Sequence, residues 1–592
     1  MDLFFSSWRD YWQGAETVEL VGSVFTKPEV VRLILDLADY TPTRRLADVR
    51  LLEPSCGDGA FLSEIVLRLV ASERTAVGTI EWSDPRLDEA IRAADISESS
   101  VTSARELARE LLVRSGCPED RALHLTAKWI LHTDFLLHEW PGTFDFVVGN
   151  PPYVRIEELP KRVLMRYREL YETTSDRADI YVAFIQRGLE ALSSNGVLAY
   201  ICANRFTKNK YGGALRHLIA SAYRVRHFIN LEHTNPFLTD VSAYPAIFVI
   251  DRQRGASTEA ATLDQIDPET LQRLRDEVSG LAPTRELVSG FARWYPRGEP
   301  WTSTCSVEHA TLGRLTERLP TLEESAPGTK VGIGVATGAD RVFVLAHKSE
   351  SIEESRQIPL IMARGVCNDG LKWSGSYLIN PFRDEDDGRL VDLADFQGLA
   401  AHFGSHAAVV RKRHVSRSRP ESWYRTIDRI WPKLQHTPKL LIPDIQVGCV
   451  IGLDYGAFYP HHNLYWITST AWPLEALKAL LRSDLVTQQV RAYSVQMRGG
   501  SLRYQAQTLR RLRIPRLATL SESLLEQLAQ VAASSDTGAL NELAREAFGL
   551  VACGNGAVSD LGPGGAEEYA DRPTASTIYD GFPSAQPIAS AS

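Results

Sequence analysis

The residues best suited to chemistry stand together in the tetrapeptide Asn150-Pro151-Pro152-Tyr153. The Asn150 amide can donate and accept hydrogen bonds, and Tyr153 offers an aromatic face. Each proline fixes its own φ and biases the residue before it away from the helical region, so the tip is stiff and extended. This set can hold a planar, amino-bearing group by its edge and its face. A strand-terminating turn explains the four residues equally well on their own.

The element that must position this tip is the apolar run Phe144–Val148, which reads as a buried strand. Open α/β sheets bind their ligands just beyond the carboxyl ends of their strands. We therefore expect other site residues to follow neighbouring strands.

A second strand end carries the loop Glu53-Pro54-Ser55-Cys56-Gly57-Asp58-Gly59, between the short predicted strand Arg50–Leu52 and a predicted helix at Phe61–Leu69. This strand–glycine loop–helix order is typical of a nucleotide-binding α/β unit. The loop is not G-x-G-x-x-G, and Glu53 would repel a pyrophosphate. A ligand with an ammonium group suits it better.

Two further acids follow predicted strands. The stretch Ala90–Ser97 contains a predicted strand that ends at Asp95, where this residue either takes ribose hydroxyls or caps the next helix. Asp134-Phe135 follows the strand Trp129–Leu131 and could hold an adenine ring by its amino group and its face. Upstream, Thr26, Pro28 and Glu29 have the spacing of a capped helix start, which is also an anion site.

Downstream elements complete a sheet that alternates with helices. A helix is predicted from Asp179 to Leu192, with a turn at Ser193–Gly196. Strands follow at Gly196–Ile201, Val225–Asn230 and Ala246–Asp251.

Composition narrows the class of protein. The 592 residues suggest two or three domains, and the net charge of −9 does not by itself indicate a nucleic-acid binder. The seven scattered cysteines form no C-x-x-C pair, which argues against a disulfide framework or a thiolate zinc site. No signal peptide or membrane-spanning run is evident, so we expect a cytoplasmic protein without membrane contact.

Taken in order, these motifs resemble the γ-class DNA adenine-N6 methyltransferases, the TaqI-like enzymes of type II restriction–modification systems. The resemblance covers roughly residues 20–255 and, more loosely, 330–516. It implies a Rossmann-like methyltransferase domain with a mixed, mostly parallel sheet. It also implies a C-terminal β-rich domain that recognises the DNA target.

The resemblance also implies roles for the site residues. Asn150 and the Pro151 carbonyl would accept the two N6 hydrogens of an adenine flipped out of duplex DNA, and Tyr153 would stack on the base. The cofactor would be S-adenosylmethionine, and no metal would be needed. The residues implied to hold the cofactor are Thr26, Glu53, Pro54, Ser55, Cys56, Gly57, Gly59, Asp95, Asp134, Phe135 and Pro152.

Two assignments stay open. The spacing between Gly59 and Asp95 is long for the family, which leaves Glu81 and Asp84 as alternative ribose ligands. Tyr244 could cover the second face of the base, but core packing explains it slightly better.

The second half carries weaker signals. The pattern Gly334-x-x-Thr337-Gly338-x-x-x-x-Phe343 resembles the start of the family's recognition domain. Basic residues interleaved with aromatics between Arg411 and Arg429 favour phosphate contact over a merely solvated face. The pair His461-His462 lacks an evident third ligand, so we favour a turn or a DNA contact over a metal site.

The predicted organisation has six parts. They are an N-terminal helical segment (1–20), the catalytic domain (21–255), a helical connector (256–330), the recognition domain (331–516), a closing helix (517–550) and a disordered tail (551–592).

The expected activity is site-specific adenine methylation of duplex DNA by a monomer, beside a separate cognate restriction endonuclease. A combined nuclease–methyltransferase is disfavoured, because the methyltransferase motifs start near Val24 and Pro443-Asp444 has no E-x-K partner. An RNA or protein-glutamine methyltransferase and a non-catalytic DNA-binding subunit remain alternatives.

Overall fold

A computed structural model gives the fold of most of the chain. It describes residues 8–12, 24–174, 178–239, 244–253, 257–291, 294, 300–301, 306–385, 388–494, 501–534 and 537–550. The predicted disordered tail (551–592) and most of the predicted N-terminal helical segment lie outside these ranges.

The centre of the N-terminal half is a nine-stranded sheet with the strand order β3-β2-β1-β4-β5-β7-β6-β8-β9. Strands β3, β2, β1, β4 and β5 are parallel, and β7 runs antiparallel to both of its neighbours. The strands are β1 (Leu51–Glu53), β2 (Ile91–Asp95), β3 (Ile130–His132), β4 (Phe144–Gly149), β5 (Leu192–Ala203), β6 (Arg224–Asn230), β7 (Pro245–Asp251), β8 (Thr258–Thr262) and β9 (Ser289–Phe291). The predicted mixed, mostly parallel sheet is confirmed.

Helices cover both faces of this sheet, because its central strands are apolar on both sides. Side chains of α2, α3, α5, α6 and α10 share one core, and those of α7, α8 and α9 share the other. The helices are α1 (Trp8–Trp12), α2 (Pro28–Leu37), α3 (Ala60–Val77), α4 (Arg86–Ala90), α5 (Glu98–Arg114), α6 (Glu119–Trp129), α7 (Lys161–Leu170), α8 (Tyr181–Glu190), α9 (Gly213–Ala222), α10 (Pro268–Val278) and α11 (Ser306–Arg318).

Two local predictions in this half were wrong. The predicted turn Ser193–Gly196 belongs to β5, where the pairing jumps from Phe144–Leu192 to Phe146–Val197 and leaves a bulge. Ser193 donates a hydrogen bond to the Asp145 carboxylate across this bulge, at 2.9 Å. The segment 256–330, predicted to be helical, also adds β8 and β9 to the sheet edge, because β8 pairs in parallel with β6.

The second half contains two four-stranded sheets with the orders β10-β20-β16-β18 and β11-β15-β12-β19, and short helices surround them. The strands are β10 (Lys330–Ile333), β11 (Val344–Leu345), β12 (Gln357–Ile361), β13 (Val366–Cys367), β14 (Gly370–Leu371), β15 (Tyr377–Ile379), β16 (Lys439–Pro443), β17 (Ile445–Gln446), β18 (Gly452–Asp454), β19 (Tyr459–Pro460), β20 (Leu464–Thr468) and β21 (Leu502–Arg503). The helices are α12 (Asp340–Phe343), α13 (Gln397–Ser405), α14 (Ala407–Val410), α15 (His414–Ser418), α16 (Pro432–His436), α17 (Leu474–Arg482), α18 (Asp484–Tyr493), α19 (Ala506–Arg511), α20 (Glu522–Val531) and α21 (Thr537–Ala547).

The two halves touch close to the carboxyl end of β5. Lys208, five residues beyond that strand, donates hydrogen bonds to the carbonyls of Arg491 and Ser494 at 2.9 and 2.8 Å. These carbonyls lie at the C-terminal end of α18, where helix carbonyls lack intrahelical partners and a cation is favourable.

None of the described helices has both the length and the apolar character that crossing a membrane requires. The described cysteines, which exclude Cys305 and Cys553, are all free thiols.

Candidate active site

A cavity of about 710 Å³ lies at the carboxyl ends of β1, β2, β3 and β4. Because these strands are parallel, the residues that follow them meet at one edge of the sheet. The predicted site residues that line the cavity are Thr26, Glu53, Pro54, Ser55, Cys56, Gly57, Asp95, Asp134, Phe135, Asn150 and Pro152. Pro151, Tyr153 and Gly59 are not among the lining residues.

The Asn150 amide has a defined orientation. Its Nδ2 donates to the Val24 carbonyl at 2.8 Å and to the Thr26 hydroxyl at 3.2 Å. Since a carbonyl can only accept, the nitrogen must face Val24 and the oxygen must face away from it. Asn150 Oδ1 is buried and has no hydrogen-bond partner among the described residues. The site thus presents a fixed acceptor for an incoming N–H group.

Thr26 supports Asn150 and does not cap a helix. The residue before α2 is Lys27, and no side chain caps that helix, so the predicted capping box of Thr26 and Glu29 does not form. Thr26 forms a β-bridge with Phe237 and is 2% exposed. Its hydroxyl is therefore directed at Asn150 and not at the helix backbone.

The cavity is acidic, which determines the charge of a suitable ligand. Glu53 is 1% exposed, and its Oε2 has no hydrogen-bond partner in the described part of the chain. Burial, reinforced by the neighbouring Asp95, holds the pKa of Glu53 well above its usual range. The described lining residues include no Lys or Arg. A cationic group would favour the ionised form of Glu53, whereas a pyrophosphate would be repelled.

Asp95 is better placed than either alternative acid to serve the cavity. Its carboxylate accepts hydrogen bonds from the backbone N–H groups of Gly57 and Ser97, both at 2.9 Å. Burial raises its pKa. Asp84 is instead paired with Arg86 and Arg45, and neither it nor Glu81 is a lining residue.

Asp134, a predicted site residue, lies in a hydrogen-bonded cluster whose other members were not predicted. Its Oδ2 accepts hydrogen bonds from Trp12 Nε1 at 3.0 Å and from the Tyr167 hydroxyl at 2.7 Å. Burial raises its pKa, and these donors partly offset the effect. Trp12 and Tyr167 line the cavity too but were not predicted, because they lie on α1 and α7, far from the strand ends in sequence.

Gly59 has a packing role, whereas its predicted contact with a ligand stays a prediction. It lies just before α3 with φ +96°, which favours glycine, and a Cβ there would meet Leu107 at 3.0 Å and the Ala104 backbone at 3.6 Å. It therefore lets α3 pack closely against α5. Cys56 does line the cavity, but burial and the nearby Glu53 raise the pKa of its thiol. That thiol is not an activated nucleophile.

Two aromatic residues were considered as partners for the face of a base. The Tyr153 ring meets Phe237 edge to face at 6.0 Å, and its buried hydroxyl has no hydrogen-bond partner among the described residues. Tyr244 is half-buried, and the Arg205 guanidinium stacks over its ring at 5.2 Å. The stacking roles of both rings stay predictions.

Comparison with known proteins decides the family. A family model for the Eco57I restriction-modification methylases matches residues 90–237. The type II methyltransferase M.XhoI of Xanthomonas vasicola is 42% identical over 537 residues, which span 89% of this chain and 97% of M.XhoI. M.PaeR7I of Pseudomonas aeruginosa is 43% identical over 90% of this chain and 92% of its own. The chain belongs to the type II methyltransferases of restriction–modification systems.

The fold of this type II methyltransferase has a solved counterpart. The type IIL restriction-modification enzyme MmeI, solved in complex with DNA, matches with a TM-score of 0.58 and 12% identity. The match covers 93% of this chain and 76% of the MmeI chain. At this identity the likeness establishes a shared fold that extends over both halves of the molecule.

The basic segment of this type II methyltransferase contains both a structural arginine and a group of exposed cations. Arg413 is structural, because it donates hydrogen bonds to the carbonyls of Thr337 and Arg425. Lys412, Arg417 and Arg419 are exposed and form no ion pair within the described ranges. These three exposed cations are therefore available to a polyanion.

Proposed function

We propose that the protein transfers a methyl group from S-adenosylmethionine to the N6 amino group of adenine at a specific site in duplex DNA. The observation that carries this proposal is the Asn150 amide, held by Val24 and Thr26 so that a buried, unpartnered oxygen faces away from them. Such an acceptor fits an amino group, and its place beside an acidic cavity fits a cationic methyl donor.

The residues that line the cavity suit the cofactor. Glu53, whose buried Oε2 lacks a partner in the described structure, would take the ammonium group, and Asp95 would take the ribose hydroxyls. Asp134 and Phe135 would hold the adenine ring, and Thr26, Pro152 and the loop Pro54–Gly57 would complete the wall. When bound, the cofactor supplies a methyl group that its sulfonium already activates.

The task of the protein is then to make a poor nucleophile reactive. The lone pair of an adenine amino group is delocalised into the ring, so positioning and polarisation matter more than a strong base. Asn150 Oδ1 and the Pro151 carbonyl would accept the two N6 hydrogens and draw the nitrogen towards tetrahedral geometry. Tyr153 would hold the ring, which must leave the duplex to reach this depth.

We further propose that residues 331–516 form the target-recognition domain and that the exposed part of the basic segment contacts DNA phosphates. Its charges are concentrated on an otherwise acidic chain, whose formal net charge is −9. A separate restriction endonuclease would supply the cleavage activity.

The test is to incubate the protein with labelled S-adenosylmethionine and duplex DNA, RNA or protein, and to map the modified group. We expect N6-methyladenine at one recurring sequence of duplex DNA, and no cleavage when Mg²⁺ is added. Label in cytosine, in RNA or in protein glutamine would refute the proposal.

A further inference from the structure

The recognition half contains a cluster of metal-ligating side chains that methyl transfer does not use. Asp340, His461 and His462 each place a ligand atom within 4.8 Å of the others, and within the described chain no other group of three or more His, Cys, Asp or Glu does so. Motif spacing does not reveal this group, because Asp340 lies 121 residues before His461.

The fold brings these residues together through backbone contacts. Val335 bridges to His461 in parallel, and Gly334 passes so close that a Cβ there would lie 2.2 Å from the His461 carbonyl oxygen. Only glycine permits this approach. The loop between β10 and α12 is thereby fixed against the turn between β19 and β20.

The hydrogen bonding around the cluster leaves histidine nitrogens available to bind a metal ion. His461 is 2% exposed, and its Nδ1 and the Nδ1 of His462 are buried without a partner in the described structure. The His461 Nε2 lies 3.1 Å from Asp340 Oδ2. An ion held between Asp340 Oδ2 and His461 Nε2 would take its second imidazole nitrogen from His462, whose buried Nδ1 lacks a partner in the described structure. Such buried polar atoms are rare in proteins, and a bound ion is one of the ways in which proteins satisfy them.

The carboxylate is oriented in the manner of a metal ligand. The hydroxyl of Thr337, a residue with 0% exposure, donates to Asp340 Oδ1 and leaves Oδ2 directed at His461. Outer hydrogen bonds of this kind hold metal ligands in place. Thr337 belongs to the Gly334-x-x-Thr337-Gly338 pattern, so the site gives that pattern a physical reason.

We propose that Asp340, His461 and His462 bind one divalent ion of the Zn²⁺ type, which joins the β10–α12 loop to the β19–β20 turn. Two imidazole nitrogens and one carboxylate oxygen match the preferences of Zn²⁺, and water would fill the fourth position on the exposed Asp340 side. Tetrahedral ligands about 2.0–2.2 Å from zinc lie roughly 3.3–3.6 Å apart, so small side-chain rotations close the site.

The experiment uses the full chain, stripped with a chelator and titrated with Zn²⁺ alone by calorimetry. We expect one equivalent to bind the unaltered protein and to raise its Tm. His462→Ala and Asp340→Asn should each weaken binding by more than about 100-fold, since even the loss of an outer-shell partner of a metal ligand costs 10- to 100-fold.

The matched control is His406→Ala. His402 and His406 also have adjacent rings, 4.7 Å apart, but among the described residues the hydrogen bonds of their ring nitrogens go to backbone carbonyls and the Ser405 hydroxyl. This variant should keep the single equivalent. No stoichiometric binding to the unaltered protein, several weak equivalents, or equal binding by all variants would each overturn the proposal. The unaltered protein alone is decisive if a variant fails to fold.

Discussion

At the scale of single residues, the orientation of one amide determines what the site can do. The Val24 carbonyl and Thr26 hydroxyl hold Asn150 Nδ2 and leave Oδ1 free of partners in the described structure. Asn150→Ala removes this acceptor but leaves the acidic part of the cavity intact. We expect the turnover number for methyl transfer to fall by roughly 10²- to 10³-fold, the usual cost of losing one preorganised polar contact to a reacting group.

The matched control for this variant is Asn195→Ala, at an exposed position on the bulge of β5. Single-turnover methylation measures the chemical step, and calorimetry measures cofactor affinity. Asn195→Ala should behave like the unaltered protein in both. Full turnover by Asn150→Ala would remove Asn150 from the chemical step, whereas loss of cofactor binding would indicate a collapsed cavity.

The second prediction at this scale concerns pH. Burial and Asp95 raise the pKa of Glu53, so its protonated form persists to a higher pH than that of an ordinary glutamate. A bound cation favours the carboxylate, so binding releases a proton. Cofactor affinity should therefore increase as the pH rises through this raised pKa and decrease as the pH falls through it.

Calorimetry in buffers of different ionisation enthalpy measures the proton released on binding. Glu53→Gln should weaken cofactor binding roughly 10- to 100-fold, as expected for a lost charge-assisted hydrogen bond, and should flatten the pH dependence. Glu98→Gln, on an exposed cavity residue, is the control and should retain both. An unchanged pH dependence in Glu53→Gln would exclude Glu53 as the ammonium ligand.

At the scale of elements, the exposed cations of the basic segment predict salt-dependent DNA binding. Replacing Lys412, Arg417 and Arg419 with alanine should reduce the slope of log K against log [salt] by about 0.9 for each lost phosphate contact. Arg114→Ala is the control, because Arg114 ends α5 at the opposite edge of the sheet from the cavity. Fluorescence anisotropy over a salt series measures the slope, and equal slopes in all proteins would contradict the phosphate contacts.

Elements were predictable wherever the local pattern decided the structure. The strands that end at Glu53 and Asp95 stood out because each is an apolar run followed by a polar break, and their parallel pairing brought the predicted acids into one cavity. The prediction of a turn at Ser193–Gly196 was wrong because serine, asparagine and glycine occur in β-bulges as well as in turns. β8 and β9 were missed because both strands are short and interleave polar residues or glycine with apolar ones, so neither has the continuous apolar run of the central strands.

Contacts between segments far apart in the sequence could not be predicted from local sequence patterns. Trp12 and Tyr167 contact Asp134 from helices that tertiary packing brings to it. The Thr26 sequence context predicted a helix cap, but its hydroxyl accepts a hydrogen bond from Asn150. The Asp340–His461 pair is of the same kind. Each required knowledge of which surfaces pack together, which motif spacing in one chain does not contain.

At the scale of the whole molecule, Lys208 connects the two halves through hydrogen bonds. Its hydrogen bonds to the carbonyls of Arg491 and Ser494 satisfy the end of α18 close to the carboxyl edge of the catalytic sheet. Lys208→Met should destabilise the protein by about 1 kcal/mol, because those carbonyls lose a charged donor. It should also lower kcat/KM for DNA while cofactor affinity is retained.

Lys210→Met is the control for Lys208→Met, since Lys210 is exposed and lies two residues further along the chain. Thermal unfolding followed by circular dichroism, together with steady-state methylation, measures both effects. If Lys208→Met has the same Tm and kcat/KM as Lys210→Met, the Lys208 contact between the halves contributes neither to stability nor to methylation.

The indole of Trp12 gives the cavity an optical signal. It lines the cavity together with Trp8, and its N–H is bonded to the carboxylate that would hold the cofactor's adenine. Occupancy of the cavity should therefore change the polarity around these rings and shift or quench their emission, without any label. The difference spectrum between the unaltered protein and Trp12→Phe would follow filling of the site in real time, independently of whether DNA is present.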